Sequence, residues 1–338
     1  MSELSLPDLS GLSDSSDLSD LSDPLVPGVR FRPLGAGEFD LFHRYGPLPA
    51  SGVGARHLPF DELGYRPGWV WVALRGDEVV ARAAFWGPPG SEHPFSLDWL
   101  DPGSGPDRIE VGAALLRAAY AALVTPGYAT PSGARPDYHL FLPADWRERP
   151  DAFADASDRI AAAERAGLRR SVERLNLRWL PEYGLPPRSA RLTFAPVDDD
   201  EVAVNLLARV AEGSLDDWDR RNLAESGARA AAEKTVAEVA DMPGGRGRWR
   251  FARDASGELV GIVMATRNSR NATIGYLGVD PAHRGHGYAD DLVAEALHIF
   301  VAEGEPEVKD NTDVGNAPMA ASFARIGYRI TGRRLILV

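Results

Sequence analysis

IGYLGVDPAHRGHGYADDLVAEALHIF, from Ile274 to Phe300, reads as a strand, a loop and a helix in succession. Ile274, Tyr276, Leu277 and Val279 form a short β-favouring run that Asp280-Pro281 closes, because proline cannot donate to a continuing ladder. From Tyr288 onward Leu292, Val293, Ala296, Leu297 and Phe300 recur at helical spacing. That spacing predicts a helix with one face on a sheet and with Asp290, Asp291 and Glu295 turned outward. Between strand and helix lies Arg284-Gly285-His286-Gly287-Tyr288-Ala289. Small residues there let the backbone approach a ligand, and unpaired N-H groups at a helix start favour an anion such as a pyrophosphate. Arg284 adds a candidate charge-assisted contact. No G-K-[ST] follows, and Asp290 stands where a dinucleotide fingerprint needs its third glycine, which excludes both of those phosphate loops.

Composition bounds the rest. A chain of 338 residues with 44% hydrophobic content is long enough for two globular domains. No run approaches the length of a membrane span, and the N-terminus lacks the pattern of a secretion signal, so no membrane association and a cytoplasmic location are expected. The absence of cysteine removes thiolate nucleophiles and thiolate metal sites, so group transfer should be direct. The formal charge of -12 disfavours nucleic acid as a partner. Half of that excess comes from Glu3, Asp8, Asp14, Asp17, Asp20 and Asp23 in a Leu-Ser-Asp-rich segment over residues 1–26, which reads as a disordered acidic tail.

Strands are expected at Val29 to Leu34, Trp69 to Leu74, Val79 to Trp86, Phe95 to Leu100, Tyr138 to Leu142 and Val172 to Leu180. Helices are expected near Asp107 to Leu123 and Ala152 to Ala166, and the Pro- and Gly-rich segment Pro181 to Pro187 reads as a domain boundary. Afterwards the order returns, with strands at Arg191 to Phe194, Arg248 to Arg253, Leu259 to Thr266 and Ile274 to Val279. Leu97-Asp98-Trp99-Leu100-Asp101-Pro102 aligns with Tyr276-Leu277-Gly278-Val279-Asp280-Pro281, and Ala166-Gly167-Leu168-Arg169 with Ile326-Gly327-Tyr328-Arg329. This is the pattern of a tandem duplication, with units at 27–187 and 188–338. The first unit has Gly103-Ser104-Gly105-Pro106-Asp107 where the second has its arginine and glycine loop, and an acid there repels a pyrophosphate.

The loop at Arg284, Gly287 and Ala289 resembles the R-x-x-G-x-[GA] acetyl-coenzyme A loop of the GCN5-related N-acetyltransferases, and Asn316-Ala317-Pro318-Met319 followed by Ile326-Gly327-Tyr328 resembles that family's second motif. The resemblance implies an α/β fold of two tandem domains, each a mixed and mainly antiparallel sheet flanked by helices, with a degenerate first copy. It implies acetyl-coenzyme A as co-substrate, bound by Arg284, Gly285, His286, Gly287, Tyr288 and Ala289 and, along the arm, by the backbone of Leu277, Gly278 and Val279. Asn316 would lie near that arm, although it equally suits a helix N-cap before Ala317-Pro318. The implied activity is acetyl transfer to a primary amine of a small molecule, in a monomer or homodimer. An acyl-coenzyme A sensor and a protein N-terminal or lysine acetyltransferase are the alternatives.

Such a transfer needs a group that takes the amine proton. Candidates are Glu212, Asp216, Asp217 and Asp219 around Trp218, whose ring offers a wall for a cation, together with Asp310 and Asp313. Many family members protonate the leaving thiolate with a tyrosine seven residues after the asparagine. Phe323 stands there in this chain, which leaves Tyr276, Tyr328 or water. No HExxH or other clustered ligand set is present, so no metal is expected.

Overall fold

The computed structural model describes residues 21–23, 26–44, 64–88, 90–128, 134–268 and 270–338. It divides into one unit of Met1–Ser171 with Leu335–Val338, and a second of Val172–Arg334. Among the described residues no helix is long and apolar enough to cross a membrane.

In the first unit the strands β1 (Leu21–Ser22), β2 (Arg30–Pro33), β3 (Val70–Arg75), β4 (Glu78–Trp86), β5 (Ser96–Asp101) and β6 (Asp137–Leu142) lie side by side in chain order. Every neighbour is antiparallel except β5 and β6, which run parallel. Helices α2 (Arg108–Leu123) and α3 (Pro150–Arg165) bury Leu115, Leu116, Ala156 and Ile160 with Phe31, Trp71 and Phe85. The short α1 (Phe39–Arg44) packs Phe42 with Val70, Val72 and Trp99 in a separate cluster.

The acidic leader ends earlier than the composition suggests. Leu21 and Ser22 pair with Phe31 and Arg30, Asp23 meets Arg117 at 2.5 Å, and Val26 is buried. The tail expectation for residues 1–20 lies outside the described residues.

The second unit repeats the plan. Strand β7 (Arg170–Trp179), which begins at the division, is followed by β8 (Thr193–Pro196), β9 (Trp249–Arg253), β10 (Leu259–Arg267), β11 (Ala272–Val279), β12 (Val308–Asp313) and β13 (Arg329–Leu337), arranged in the order β8-β9-β10-β11-β12-β7-β13. From β8 to β7 the ladder is antiparallel except between β11 and β12. Helices α4 (Asp200–Ala211), α5 (Asp217–Ser226) and α6 (Ala228–Ala240) precede β9, while α7 (Tyr288–Ala302) and α8 (Ala317–Arg325) flank β12 in the chain. Along β10 the side chains alternate between two cores as strand geometry requires. Ile262 and Met264 join Leu206, Leu207 and Val236, whereas Val263 and Ala265 join Leu292, Leu297 and Phe300.

Two expectations change. The division falls at Val172 and not in the Pro181 to Pro187 segment, because β7 pairs with β12 from Trp179↔Val308 to Arg174↔Asp313. The chain end returns to the first unit, where Arg169 and Val338 exchange two backbone hydrogen bonds of 2.7 and 2.8 Å. Glu295 does not face solvent either. The end of the Pro181 to Pro187 segment and the residue after it cover this face, with Arg188 Nη1 at 2.5 Å from the Glu295 carboxylate and Pro186 O at 2.8 Å from His298 Nε2 on the same helix.

Candidate active site

Parallel strands that diverge leave backbone groups unpaired, and β11 and β12 do so early. They share one register pair, Ala272↔Val308, whereas β11 continues against β10 as far as Val279↔Gly261. Asp310 sits in the opening. Its buried carboxylate accepts from Ile274 N at 2.7 Å, Thr273 Oγ1 at 3.0 Å and Tyr328 OH at 2.7 Å. Burial pushes its carboxyl up to about 6 against those three donors. Beyond this bridge Tyr276, Leu277, Gly278 and Val279 line a cavity of about 1010 Å³. Gly278 allows helix α4 to approach β11, since a Cβ there would lie 2.7 Å from Val210 Cγ1.

The loop at the end of β11 has the predicted form. Gly285 and Gly287 take φ of 84° and 73°, which L side chains rarely adopt, and α7 starts directly after Gly287. None of the backbone N-H groups from Gly285 to Ala289 has an acceptor among the described residues. His286 stacks on Tyr288 at 5.5 Å and its Nδ1 lies 3.1 Å from His283 O. Arg284 is placed differently from the sequence expectation. Its guanidinium donates to Val210 O at 2.8 Å, Gly213 O at 3.2 Å and Val279 O at 3.4 Å, tying the end of α4 to the end of β11. The cation that clasps the loop is Arg191, bonded to His286 O at 2.6 Å and to Asp291 at 2.6 Å. Asn316 lines the cavity as the N-cap of α8, with Oδ1 accepting from Met319 N at 3.3 Å.

Opposite β11 the candidate acids separate. Glu212 is exposed where α4 ends and does not line the cavity. Asp216 caps α5, accepting from Trp218 N at 2.9 Å, and lines the cavity. Asp313 is buried, accepts from Asp217 N at 2.6 Å and faces Arg174 Nε at 2.9 Å, with its carboxyl pushed up by burial and drawn down by that arginine. Arg174 also reaches Asp216 at 3.0 Å. Asp219 is the acid that meets β11. It is 8% exposed, lines the cavity and accepts from Ser214 Oγ at 2.7 Å and Tyr276 OH at 3.1 Å. Burial holds its carboxyl above the ordinary range, opposed by the two hydroxyl donors. Enclosure and the neighbouring Asp219 hold the Tyr276 hydroxyl well above the usual phenol range, so it stays a proton donor near neutrality.

From the sequence Asp219 is one of six candidate acids, and the choice of Glu212, Asp216 and Asp313 with Tyr276 leaves it out, as it leaves out Arg174 and Ser214. Spacing carried a trace of Asp219, because Asp216 and Asp219 are one helical turn apart. No sequence signal marked Arg174, which lies on β7 and far along the chain from its partners. Trp218 is not an open wall for a ligand cation, since Lys234 Nζ already lies 4.8 Å from its ring centroid.

The first unit closes the matching features. Strands β5 and β6 also part after two register pairs. Trp99, aligned with Gly278, fills that side with an indole packed among Phe42, Tyr65 and Val72 and bonded to Tyr65 OH at 3.2 Å. At the loop, Asp107 pairs with Arg75 at 2.5 Å, and its Oδ1 lies 2.9 Å from where a Cβ on Gly105 would be. Among the described residues one group of metal-type ligands occurs, Asp254 and Glu258 on the β9–β10 turn with His283 from the turn after β11, where Asp254 Oδ1 already accepts from Ser256 N and Glu258 N.

The model of the acetyltransferase (GNAT) family matches residues 215–328. A GCN5-related N-acetyltransferase from Sphaerobacter thermophilus superposes with a TM-score of 0.54 at 15% identity, covering 92% of this chain and 95% of that one. A GCN5-related glucosamine N-acetyltransferase region of a fungal multi-domain β-N-acetylglucosaminidase gives 0.50 at 15% identity, covering 94% of this chain and 39% of that one. A tandem GNAT protein from the clavulanic acid biosynthesis pathway gives 0.49 at 19% identity, covering 91% and 97%. The acetyltransferase (GNAT) family model thus matches residues 215–328 of the second unit, and the chain as a whole is similar in fold to a GCN5-related N-acetyltransferase.

Proposed function

We propose that the chain transfers acetyl from acetyl-coenzyme A to a primary amine of a small molecule, in the cavity of the second unit, by direct attack of the amine on the thioester. One arrangement carries this reading: a strand fork and a loop of unpaired amides open into the same cavity as a buried carboxylate bonded to a tyrosine hydroxyl. The amides from Gly285 to Ala289 and the start of α7 suit a pyrophosphate, and the unpaired edge of β11 at Leu277 to Val279 suits an extended amide-bearing arm. The thioester supplies an activated carbonyl and a good leaving group.

The chain's own residues supply binding and proton transfer. Asp219 accepts the proton that the amine loses as its nitrogen bonds to the acyl carbon, and Tyr276 OH stands next to that carboxylate on the donor strand. When the carbon–sulfur bond breaks, the departing sulfur takes a proton by way of the Tyr276 hydroxyl, which Asp219 restores. The proton lost by nitrogen thus ends on sulfur. Phe323 packs against Tyr328 at 4.8 Å, and the Tyr328 hydroxyl is committed to Asp310; Tyr276 lines the cavity beside Asp219, and Tyr288, which also lines it, stands at the glycine loop where α7 begins. On its α5 side the cavity carries Asp216 and Asp219 beside Arg174, with Asp313 behind them, while Arg284 and Arg325 line it elsewhere with Asp290 and Asp310; the acids on the α5 side suit a cationic acceptor.

Calorimetric titration of acetyl-coenzyme A, followed by thiol release across a panel of amines, tests the reading with wild type and Asp219→Asn. The expected result is unchanged binding in both and a loss of kcat/KM in the variant on the order of 10²–10⁴. Binding without turnover of any amine or peptide would overturn the enzyme reading in favour of a sensor. Full activity of Asp219→Asn would remove Asp219 from the mechanism.

A further inference from the structure

We infer that Arg174 is the positioning residue of the acceptor wall, holding α5 so that Asp219 meets Tyr276 and keeping the Asp219 carboxylate available as a proton acceptor. This rests on the reading of Asp219 given above. The guanidinium spans two carboxylates, with Nη2 3.0 Å from Asp216 Oδ2 and Nε 2.9 Å from Asp313 Oδ1. Those carboxylates hold the first turn of α5 by its backbone. Asp216 Oδ1 accepts from Trp218 N at 2.9 Å and Asp219 N at 3.4 Å, and Asp313 Oδ2 accepts from Asp217 N at 2.6 Å. Three successive amides of the helix that carries Asp219 are therefore fixed through one side chain on β7.

The same geometry sets the local charge. Around Asp219 stand Asp216 and Asp217 on its own turn, Tyr276 and Ser214 bonded to it, Asp313 on β12, Arg174 on β7, Arg284 in the loop and Lys234 on α6 beside Trp218. Arg284 is spent on three backbone carbonyls and Lys234 on Asn222 Oδ1 at 2.9 Å. Arg220 at 3.4 Å and Arg221 at 3.2 Å pair with Asp217 on their own helix, and Arg174 is the cation set between Asp216 and Asp313. Without it the negative charge of Asp216 would stand unopposed and favour the protonated forms of Asp313 and Asp219, whose carboxyls burial already pushes up. A planar fork can face two carboxylates at once, which an ammonium cannot do with the same geometry. The assignment also explains why β7 belongs to the second unit in function as well as in pairing, since it delivers Arg174 next to Asp313 in register.

The test is the pH profile of kcat/KM for the full-length wild type, Arg174→Gln, Arg174→Lys and Arg174→Gly with added guanidinium chloride at non-denaturing concentration, using the best amine from the panel. For Arg174→Gln the expected result is a tenfold or greater loss below neutral pH, with the acidic limb moved up by about one pH unit. Guanidinium should return the limb of Arg174→Gly toward its wild-type position. For Arg174→Lys the limb should stay near wild type while kcat falls, because one of the two carboxylates loses its partner. A uniform fall with an unmoved limb in Arg174→Gln, or full activity in Arg174→Lys, would overturn the inference. Should Arg174→Gln not fold, the lysine variant and the guanidinium response decide it. The Asp219→Asn profile separates the two readings: if that variant keeps the wild-type limb, Asp219 is not the base, whatever Arg174 does.

Discussion

Replacing Asp310 with asparagine tests the carboxylate that props open the β11–β12 fork. Burial raises the Asp310 carboxyl from its ordinary 3.8 to about 6. The folded protein then holds a proton that the unfolded chain has released between those values, so stability is fully present below about pH 4 and is lost as pH rises through about 6. At 1.36 kcal/mol per pH unit the window is worth about 3 kcal/mol. Asparagine keeps the shape and cannot ionise. Its amide nitrogen cannot accept from one of the three donors now shared by the carboxylate, which costs on the order of 1–3 kcal/mol at every pH. Urea unfolding of wild type and Asp310→Asn from pH 4 to pH 7.5 isolates the effect, because other titrating groups cancel in the difference. The variant should be the weaker protein at pH 4 by about 1–3 kcal/mol, and the difference should move by about 3 kcal/mol in its favour by pH 7, so that the gap closes or reverses. A gap that stays constant, or widens with pH, would show that three donors outweigh burial and that Asp310 is ionised throughout.

Two further outcomes concern the donor side. Gly278→Val places a Cβ 2.7 Å from Val210 Cγ1, so overpacking should lower stability by about 1–3 kcal/mol and weaken acetyl-coenzyme A at least tenfold by separating α4 from β11, read by thermal unfolding and calorimetry. Titration of acetyl-coenzyme A into wild type should give one site per chain, abolished by Gly287→Glu. Residual binding in that variant would mean that the first unit binds despite Trp99 and Asp107.

Much of the second unit was legible because its signals are local. Leu292, Val293, Ala296, Leu297 and Phe300 fall on one helical stripe, and all are buried as the spacing requires. Gly287 precedes the helix in a left-handed conformation that suits glycine, and the hairpins at Gly76 and Gly257 turn where expected. Glu295 was misread because a stripe says which residues face the sheet, not which are covered from outside by a later loop. The segment carrying Arg188 does that covering. The carbonyls that hold the Arg284 guanidinium were illegible for a related reason: the side chain is long enough to choose among acceptors that sequence cannot place.

The sequence by itself determined the strand–loop–helix order around Gly287, its echo in the first unit and the glycine turn between strand and helix, since propensity, periodicity and glycine conformation act over a few residues. Which acid meets the donor strand was a tertiary decision. Glu212, Asp216, Asp217 and Asp219 differ little as letters, yet α5 turns only Asp219 onto Tyr276. Their environments come from partners far along the chain, Arg174 from β7 and Asp313 from β12. Burial and charge at a carboxyl depend on distances in space, and those exist only once the sheet has brought these strands side by side.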